Sequence, residues 1–452
     1  MKSTVRQLLA RRAFIATGAA ALGLPFIMNE ELEAYPQNVN RSSKPSELKI
    51  TDMRIAEVRE GKSANTRTVV RLDTNQGISG YGEGYLGSSP TYLLILKSRL
   101  LGENPCSVDK IFRKIKQFGG PSRQGGGVSG VEAACWDLAG KAYGVPVYQM
   151  LGGKFRDTIR LYTEGDNSPD PKMYGASLKT RKEAGFTFLK MDLPMDYIGK
   201  QPGAYTAPAG GPFGSRDTVE HFFTGLELTD KGVGLMADYL GQVRDLVGMD
   251  IPLALDHFGH MGVNSSIKLG KALEKYNPAW LEDMAPWNRV DQWKIITESI
   301  DVPTATGEDV YLKEGFVKLC RAHAVDLIHP DPQVTGGILE LKKMGDMAQE
   351  YGVGMVVHCA ASPIGYMAGV HAVAATENFI ALEWHTPEPE FAKNLIEGRL
   401  VVEKGFIPVP EGAGLGIKVN EEALKPYCTP GKYFTDPTTQ WDAERAWDRI
   451  WS

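Results

Sequence analysis

Several features that mark whole classes of protein are scarce or missing in this chain. It has five cysteines, Cys106, Cys135, Cys320, Cys359 and Cys428. Their number is odd and no two form a CxxC pair, which excludes a disulfide framework and a zinc-knuckle pattern and leaves scattered buried thiols. It lacks an excess of either charge, since Lys+Arg 50 against Asp+Glu 55 gives a net charge of −5. With no Lys/Arg block beyond the extreme N-terminus, there is no electrostatic ground for nucleic acid as a partner, and an acidic small molecule would need local positive charge or a metal. It also lacks an apolar run of the ~20 residues that a membrane span requires. There is no solenoid repeat and no low-complexity tract. What remains is a globular composition, 42% hydrophobic and 23% charged over 452 residues. At ~100–200 residues per domain, that length suits two or three domains, or one large barrel with an added domain.

The first residues stand apart from the fold. Arg11-Arg12-Ala13-Phe14-Ile15 precedes an apolar stretch from Ala16 to Met28, a basic region followed by a short hydrophobic one. This pattern resembles a twin-arginine export signal, so residues 1–36 are expected to be signal and linker and the protein to be periplasmic. From 46 to 157 an α+β module is expected. Leu48–Val58, Thr68–Leu72 and Gly80–Tyr85 alternate like strands of a meander, and Tyr92–Leu101, Val108–Phe118 and Val131–Tyr143 carry helical spacing. Gly125-Gly126-Gly127-Val128-Ser129-Gly130 satisfies the letter of G-x-G-x-x-G, but no strand precedes it. Ser129-Gly130-Val131-Glu132 instead fits a capping box opening a helix.

Residues 158–400 alternate β-rich runs with helical stretches. The expected strands are Ile159–Thr163, Phe186–Asp192, Ile251–Asp256, Trp280–Glu282, Val302–Gly307, Val325–Ile328, Gly354–His358 and Phe379–Glu383. Eight strands separated by helices are the signature of a β/α barrel. The Gly/Pro-rich gap from Met195 to about Val233 suggests a lid or an oligomer contact. The segment 401–452 is expected to return to the first module, with a short amphipathic helix at Trp441–Trp451.

Polar residues stand at the C-terminal ends of these strands, where a barrel enzyme builds its site. Asp256 and Glu282 each end a strand and Glu308 follows the next, the three spaced one strand-plus-helix unit apart. Three converging carboxylates repel one another unless a cation sits among them, and hard oxygen ligands with open positions suit Mg²⁺. The next two units carry Asp331 and His358. A carboxylate beside an imidazole fixes its tautomer and raises its basicity, as a general acid/base requires. Glu383 ends the last strand and can donate to a substrate carboxylate if protonated. Lys190 and Asp192 are alternate residues at the end of the second strand, so both point into the mouth. His260 and His385 lie in loops that can reach a substrate, and Trp384 can line the mouth. His257 should point away, and His221, His323, His329 and His371 are expected to be structural.

The succession Lys-x-Asp, Asp, Glu, Glu, Pro-Asp-x₄-Gly-Gly, His, Glu resembles the enolase superfamily, in its mandelate racemase/muconate lactonising branch. So do Val70–Glu83 and Trp136-Asp137-Leu138-Ala139-Gly140-Lys141, and the resemblance runs over essentially the whole chain after the signal. It implies a modified TIM barrel, (β/α)₇β, with an N-terminal α+β capping domain, and Mg²⁺ held by Asp256, Glu282 and Glu308. The Asp–His pair resembles the subgroup in which many members dehydrate sugar acids. One departure concerns the second strand, where members with two catalytic lysines carry Lys-x-Lys and this chain has Asp192. That lowers the expectation of two-base racemisation and favours a reaction in which His358 does the proton work. Lys190 is then left to neutralise the substrate carboxylate, with Asp192 as a hydroxyl acceptor or a partner orienting Lys190.

The expected activity is therefore Mg²⁺-dependent removal of the proton next to a carboxylate and loss of water from a sugar acid, giving a 2-keto-3-deoxy acid. His358 serves as base and acid, or Lys190 as base and His358 as acid only. The rivals are a racemase, epimerase or cycloisomerase using the same enediolate, and a binding protein without turnover. The partner expected is a small carboxylate substrate, and the assembly a homo-oligomer.

Overall fold

The computed structural model describes residues 43–59, 66–207, 226–256, 261–385, 392–397, 400–434 and 436–443. The proposed export signal, His221, His257, His260, the centre of the Gly/Pro-rich excursion and most of Trp441–Trp451 lie outside the described residues.

Alternation of apolar and polar residues builds the first sheet. Strands β1 (Ile50–Arg59), β2 (Thr66–Thr74) and β3 (Ser79–Glu83) form an antiparallel meander in that order. Helices α1 (Pro90–Leu94), α2 (Lys97–Leu100), α3 (Val108–Ile115) and α4 (Gly125–Tyr143) follow. The expected single helix Tyr92–Leu101 is thus two short ones, and α3 tightens into a 3₁₀ turn at Lys116–Phe118. The larger correction concerns α4, which begins at Gly125 rather than Val131. Its glycines are a packing face: a Cβ on Gly82 of β3 would lie 1.9 Å from Gly130 O, and one on Gly126 would lie 2.5 Å from Tyr85 N. Helix and strand approach this closely only without side chains between them. The capping box is absent as well. Ser129 sits inside the helix, donating to Gly125 O, while the Glu132 carboxylate accepts from Ile338 N and Leu339 N, on another helix.

The second sheet is a ring of parallel strands: β4 (Thr158–Glu164), β5 (Leu189–Asp192), β6 (Leu253–Asp256), β7 (Leu281–Glu282), β8 (Thr304–Thr306), β9 (Leu327–Ile328), β10 (Gly354–Met355) and β11 (Leu382–Glu383). Each strand pairs with the next, β11 returns to β4, and a parallel bridge between Val357 and Leu382 closes the ring. The helices between them are α5 (Pro171–Glu183), α6 (Asp230–Val247), α7 (Val263–Leu273), α8 (Val290–Thr297), α9 (Lys313–Ala322), α10 (Ile338–Glu350) and α11 (Pro363–Ala374). Among the described residues this is a (β/α)₇β barrel.

The barrel interior is filled by one layer of Tyr162, Phe188, Ala254, Trp280, Ala305, Val356 and Ala381. Three large rings, Tyr162, Phe188 and Trp280, pack with small residues in this layer, and Phe188 and Trp280 lie 4.9 Å apart between centroids. Large and small side chains facing one another fill a closed barrel without leaving a pore. Beyond the ring, β12 (Phe406–Pro408) pairs antiparallel with the first half of β4. The tail then meets the first domain, where Glu421 accepts from Arg71 and from Tyr81 OH, each at 2.8 Å, and Thr429 N donates to Glu57 O. All five cysteines are free.

Candidate active site

The floor of the barrel dictates what stands above it. Side chains two residues apart on a strand share a face, so the residue two positions after each floor residue points into the mouth. Tyr162, Phe188, Ala254, Trp280, Val356 and Ala381 are followed in this way by Glu164, Lys190, Asp256, Glu282, His358 and Glu383. After Ala305 the rule falls on Gly307, whose φ of +142° strains any side chain and where a Cβ would meet Phe316 at 2.4 Å. The carboxylate of that strand comes one residue later, at Glu308.

The result is a concentration of buried acid. Ligand oxygens of Asp256, Glu282 and Glu308 lie within 4.8 Å of one another, and Glu164, Asp192 and Asp256 form a second such group. Lys190, 1% exposed, answers several at once: Nζ lies 2.6 Å from Asp256, 3.4 Å from Glu282, 3.4 Å from Glu383 and 3.6 Å from Glu164. Burial disfavours its ammonium, but Asp256, Glu282 and Glu383 outweigh that and hold it well above its ordinary value. Even beside Lys190, several of these acids are held above their ordinary values. Burial and then the Asp256 charge push Glu282 up to about 8, and burial foremost pushes Glu164 up to about 8. Glu308 and Asp283 are also raised, by burial and neighbouring carboxylates. Asp283 holds a φ of +52° and accepts from Thr306 Oγ1 at 2.6 Å.

Across the mouth, His358 Nδ1 lies 2.6 Å from Asp331 Oδ2, and Asp331 Oδ1 accepts from Gln333 N at 2.6 Å. His358 Nε2 faces Glu308 and Glu383, 3.4 Å from each. Burial opposes the imidazolium, but Glu383, Glu308 and Asp331 together hold it well above the ordinary histidine value. Glu383 behaves differently from its expectation as a protonated donor. Burial favours the neutral acid, yet Lys190 and His358 hold it well below the usual carboxylate range, as an anion that accepts from Cys359 N at 3.0 Å.

The remaining expected residues fall as follows. Asp192 reaches the mouth and accepts from Asn167 Nδ2 at 3.2 Å, while its backbone N–H donates to Tyr174 OH. His385 Nε2 lies 3.8 Å from Glu383 Oε2, with no hydrogen-bond partner among the described residues. Tyr85 leans on the His358 ring, centroids 6.3 Å apart. Trp384 is buried against Tyr366 instead of lining the mouth. His260 lies outside the described residues.

Sequence reasoning missed Glu164, Asn167, Asp283 and the place of His329. That histidine lies beneath the mouth, its Nε2 2.8 Å from Tyr162 OH and its Nδ1 2.6 Å from Glu282 Oε1, close but not aligned as a hydrogen bond. Burial, then Lys190 and His358, push it down to about 3, so it is neutral. The two-residue rule applied to Tyr162 and Leu327 would have found Glu164 and His329.

The donor set fits a hard divalent cation. Asp256, Glu282 and Glu308 offer oxygen ligands at strand ends, Glu282 and Glu308 are held above the usual carboxylate range, and a cavity of about 340 Å³ opens beside Glu308, lined by Met261, Met284 and Trp287. Fold and site together define a barrel enzyme with an acidic mouth and a hydrogen-bonded Asp331–His358 pair beside it.

Comparison with known proteins gives the family. Residues 47–152 match the mandelate racemase/muconate lactonizing enzyme N-terminal domain, and residues 174–423 match the enolase C-terminal domain-like family. The chain is 32% identical over 379 residues to D-xylonate dehydratase of Haloferax volcanii, covering 81% of this chain and 87% of that one. It is 26% identical over 391 residues to arabinonate dehydratase of Saccharolobus solfataricus, covering 84% and 95%. Among solved structures, a mandelate racemase/muconate lactonizing enzyme-like protein from Rubrobacter xylanophilus superposes with a TM-score of 0.74 at 29% identity, over 86% of this chain and 99% of that one. The chain belongs to the enolase superfamily, in its mandelate racemase/muconate lactonizing enzyme family.

Proposed function

We propose that the protein is a sugar-acid dehydratase that takes the C2 proton from a polyhydroxy acid and expels the 3-hydroxyl as water, leaving an enol that tautomerises to a 2-keto-3-deoxy acid. The observation that carries this is the Asp331–His358 pair facing the carboxylate cage, with His358 Nε2 3.4 Å from Glu308 Oε2. The dehydratase names of the relatives support loss of water over racemisation or cycloisomerisation on the same scaffold.

Asp256, Glu282 and Glu308 would hold Mg²⁺, the ion typical of the superfamily, which supplies Lewis-acid stabilisation of negative charge on the substrate carboxylate. Lys190 places its buried ammonium where that carboxylate would lie and offsets its charge. His358, fixed on Asp331 through Nδ1, either takes the C2 proton on Nε2 as the neutral imidazole and passes it to the departing hydroxyl, or starts as the imidazolium and gives the hydroxyl its own proton while Lys190, as the free amine, takes the one from C2. Asp192, His260 and His385 would contact the substrate's other hydroxyls, Asp192 as an acceptor.

The test is a screen of stereoisomeric aldonic and aldaric acids with Mg²⁺, reading keto acid with semicarbazide. Deuterium uptake at C2 without keto acid would favour a racemase or epimerase. Binding with neither would favour a non-catalytic relative. On the best substrate, C2 exchange lost in Lys190→Met but kept in His358→Asn would make Lys190 the base. The reverse would give both proton transfers to His358.

We also propose export to the periplasm, which the Arg11-Arg12 pair and the apolar stretch after it support, and a homo-oligomeric assembly. Cell fractionation of an Arg11→Lys, Arg12→Lys variant tests the first, with cytoplasmic retention expected. Light scattering tests the second, with a mass above that of one chain expected.

A further inference from the structure

We infer that the α+β domain positions the Asp331–His358 pair through two buried carboxylates, Glu83 and Glu132, that grip the loops following the two strands. The inference rests on the assignment of proton transfer to that pair. Glu83 ends β3 and is 2% exposed. It accepts from Arg67 Nη1 at 2.7 Å, from Ser362 N at 3.0 Å, from Gly365 N at 3.2 Å and from the Ser362 hydroxyl. Arg67 Nη1 also donates to Ala360 O at 2.7 Å. Backbone from Ala360 to Gly365 is therefore tied to the first domain, and it directly follows His358 and the Cys359 N–H that meets Glu383.

Glu132 does the same for the other loop. Buried inside α4, it accepts from Ile338 N at 2.8 Å, Leu339 N at 3.1 Å and Trp136 Nε1 at 2.6 Å, at the positive N-terminal end of α10. Ser129 Oγ adds a bond from Gly336 N at 3.0 Å. Gly336 and Gly337 hold φ of +118° and +106°, and a Cβ on Gly337 would lie 2.1 Å from Glu132 Oε2. The Gly-Gly that closes Pro-Asp-x₄-Gly-Gly is thus the space into which the carboxylate fits. Asp331 and His358 come from different strands, and their 2.6 Å contact depends on both loops being held at once.

Glu83→Gln and Glu132→Ala test this with two readouts. In turnover of the best sugar acid, each is expected to lower kcat about 10–100-fold with KM within about threefold, because misplacing an acid/base group by about 1 Å costs rate and not substrate affinity. In protein labelled with ¹⁵N-histidine, the downfield Nδ1–H resonance that disappears in His358→Asn is expected to shift or broaden in both variants. Unchanged kcat per folded molecule together with an unchanged resonance would reduce the two carboxylates to packing and overturn the inference. Should wild type turn over no sugar acid, the proposed reaction fails while the resonance still decides the positioning. Should Glu83→Gln not fold, Ser362→Ala removes one hydroxyl donor to the same carboxylate and is read by the same resonance.

Discussion

Two clusters of buried carboxylate, built from the same residue types, have opposite characters. At the clasp, one acid, Glu83, is met by a guanidinium, a hydroxyl and two backbone N–H groups. At the mouth, Lys190 lies within reach of Asp256, Glu282, Glu383 and Glu164, and His358 faces Glu383 and Glu308. Burying a charge costs free energy unless it is paired and hydrogen-bonded. Glu83 serves structure, while at the mouth burial and neighbouring carboxylates push Glu282 and Glu164 up to about 8, so they hold protons that a cation can replace. A buried acid is therefore informative about function only once its donors have been counted.

The comparison can be broken at several points. The largest effect is expected between the two clusters, where the acid/base pair sits: His358→Asn should lower kcat for keto-acid release about 10³-fold, and a loss of only a few-fold would remove it from proton transfer. Next, paired substitutions should move stability in opposite directions. Glu83→Gln breaks a satisfied buried pair and is expected to destabilise by about 3 kcal/mol in denaturant unfolding. Glu282→Gln relieves repulsion and should leave metal-free protein at least as stable near pH 8, by up to about 1 kcal/mol. Equal losses would erase the distinction.

A smaller effect concerns pH. Glu282 and Glu164 have folded values of about 8, above their unfolded values, so the folded chain holds extra protons between about pH 4.5 and 8. Metal-free stability contributed by these groups is present at the low end and lost as pH rises through that window. A cation that replaces those protons should then raise the melting temperature more at about pH 8 than at about pH 5.5. An equal gain at both would place the cation elsewhere. The mildest change should be Asp192→Ala, raising KM for a polyhydroxy acid about tenfold with kcat within about threefold, as loss of one hydroxyl acceptor predicts.

Much of this contrast was legible in the sequence. The spacing of Asp256, Glu282 and Glu308 announced the cage, and Asp331 with His358 announced the pair, because strand-end positions recur once per unit in a barrel. Glu164 and His329 were legible in principle by counting two residues past a floor residue, but the floor is known only after the strands are aligned. The clasp was not legible. Glu83 looks like an ordinary polar position and Glu132 like the end of a capping box, and their partners near residues 336–365 lie far away in the chain. The glycine run at 125–130 was misread for the same reason, since its need for bare backbone comes from β3 pressed against it. Local pattern sets elements, whereas close approach between distant segments does not appear in local pattern.

The most direct measurement is anomalous diffraction from crystals soaked with Mn²⁺ in place of Mg²⁺. A peak bonded to Asp256, Glu282 and Glu308, within the range of a hard-cation oxygen bond, is what the convergence of the three carboxylates predicts. Density with no ion there at saturating metal, Lys190 still bridging Asp256 and Glu282, and keto-acid release undiminished after chelation would contradict it.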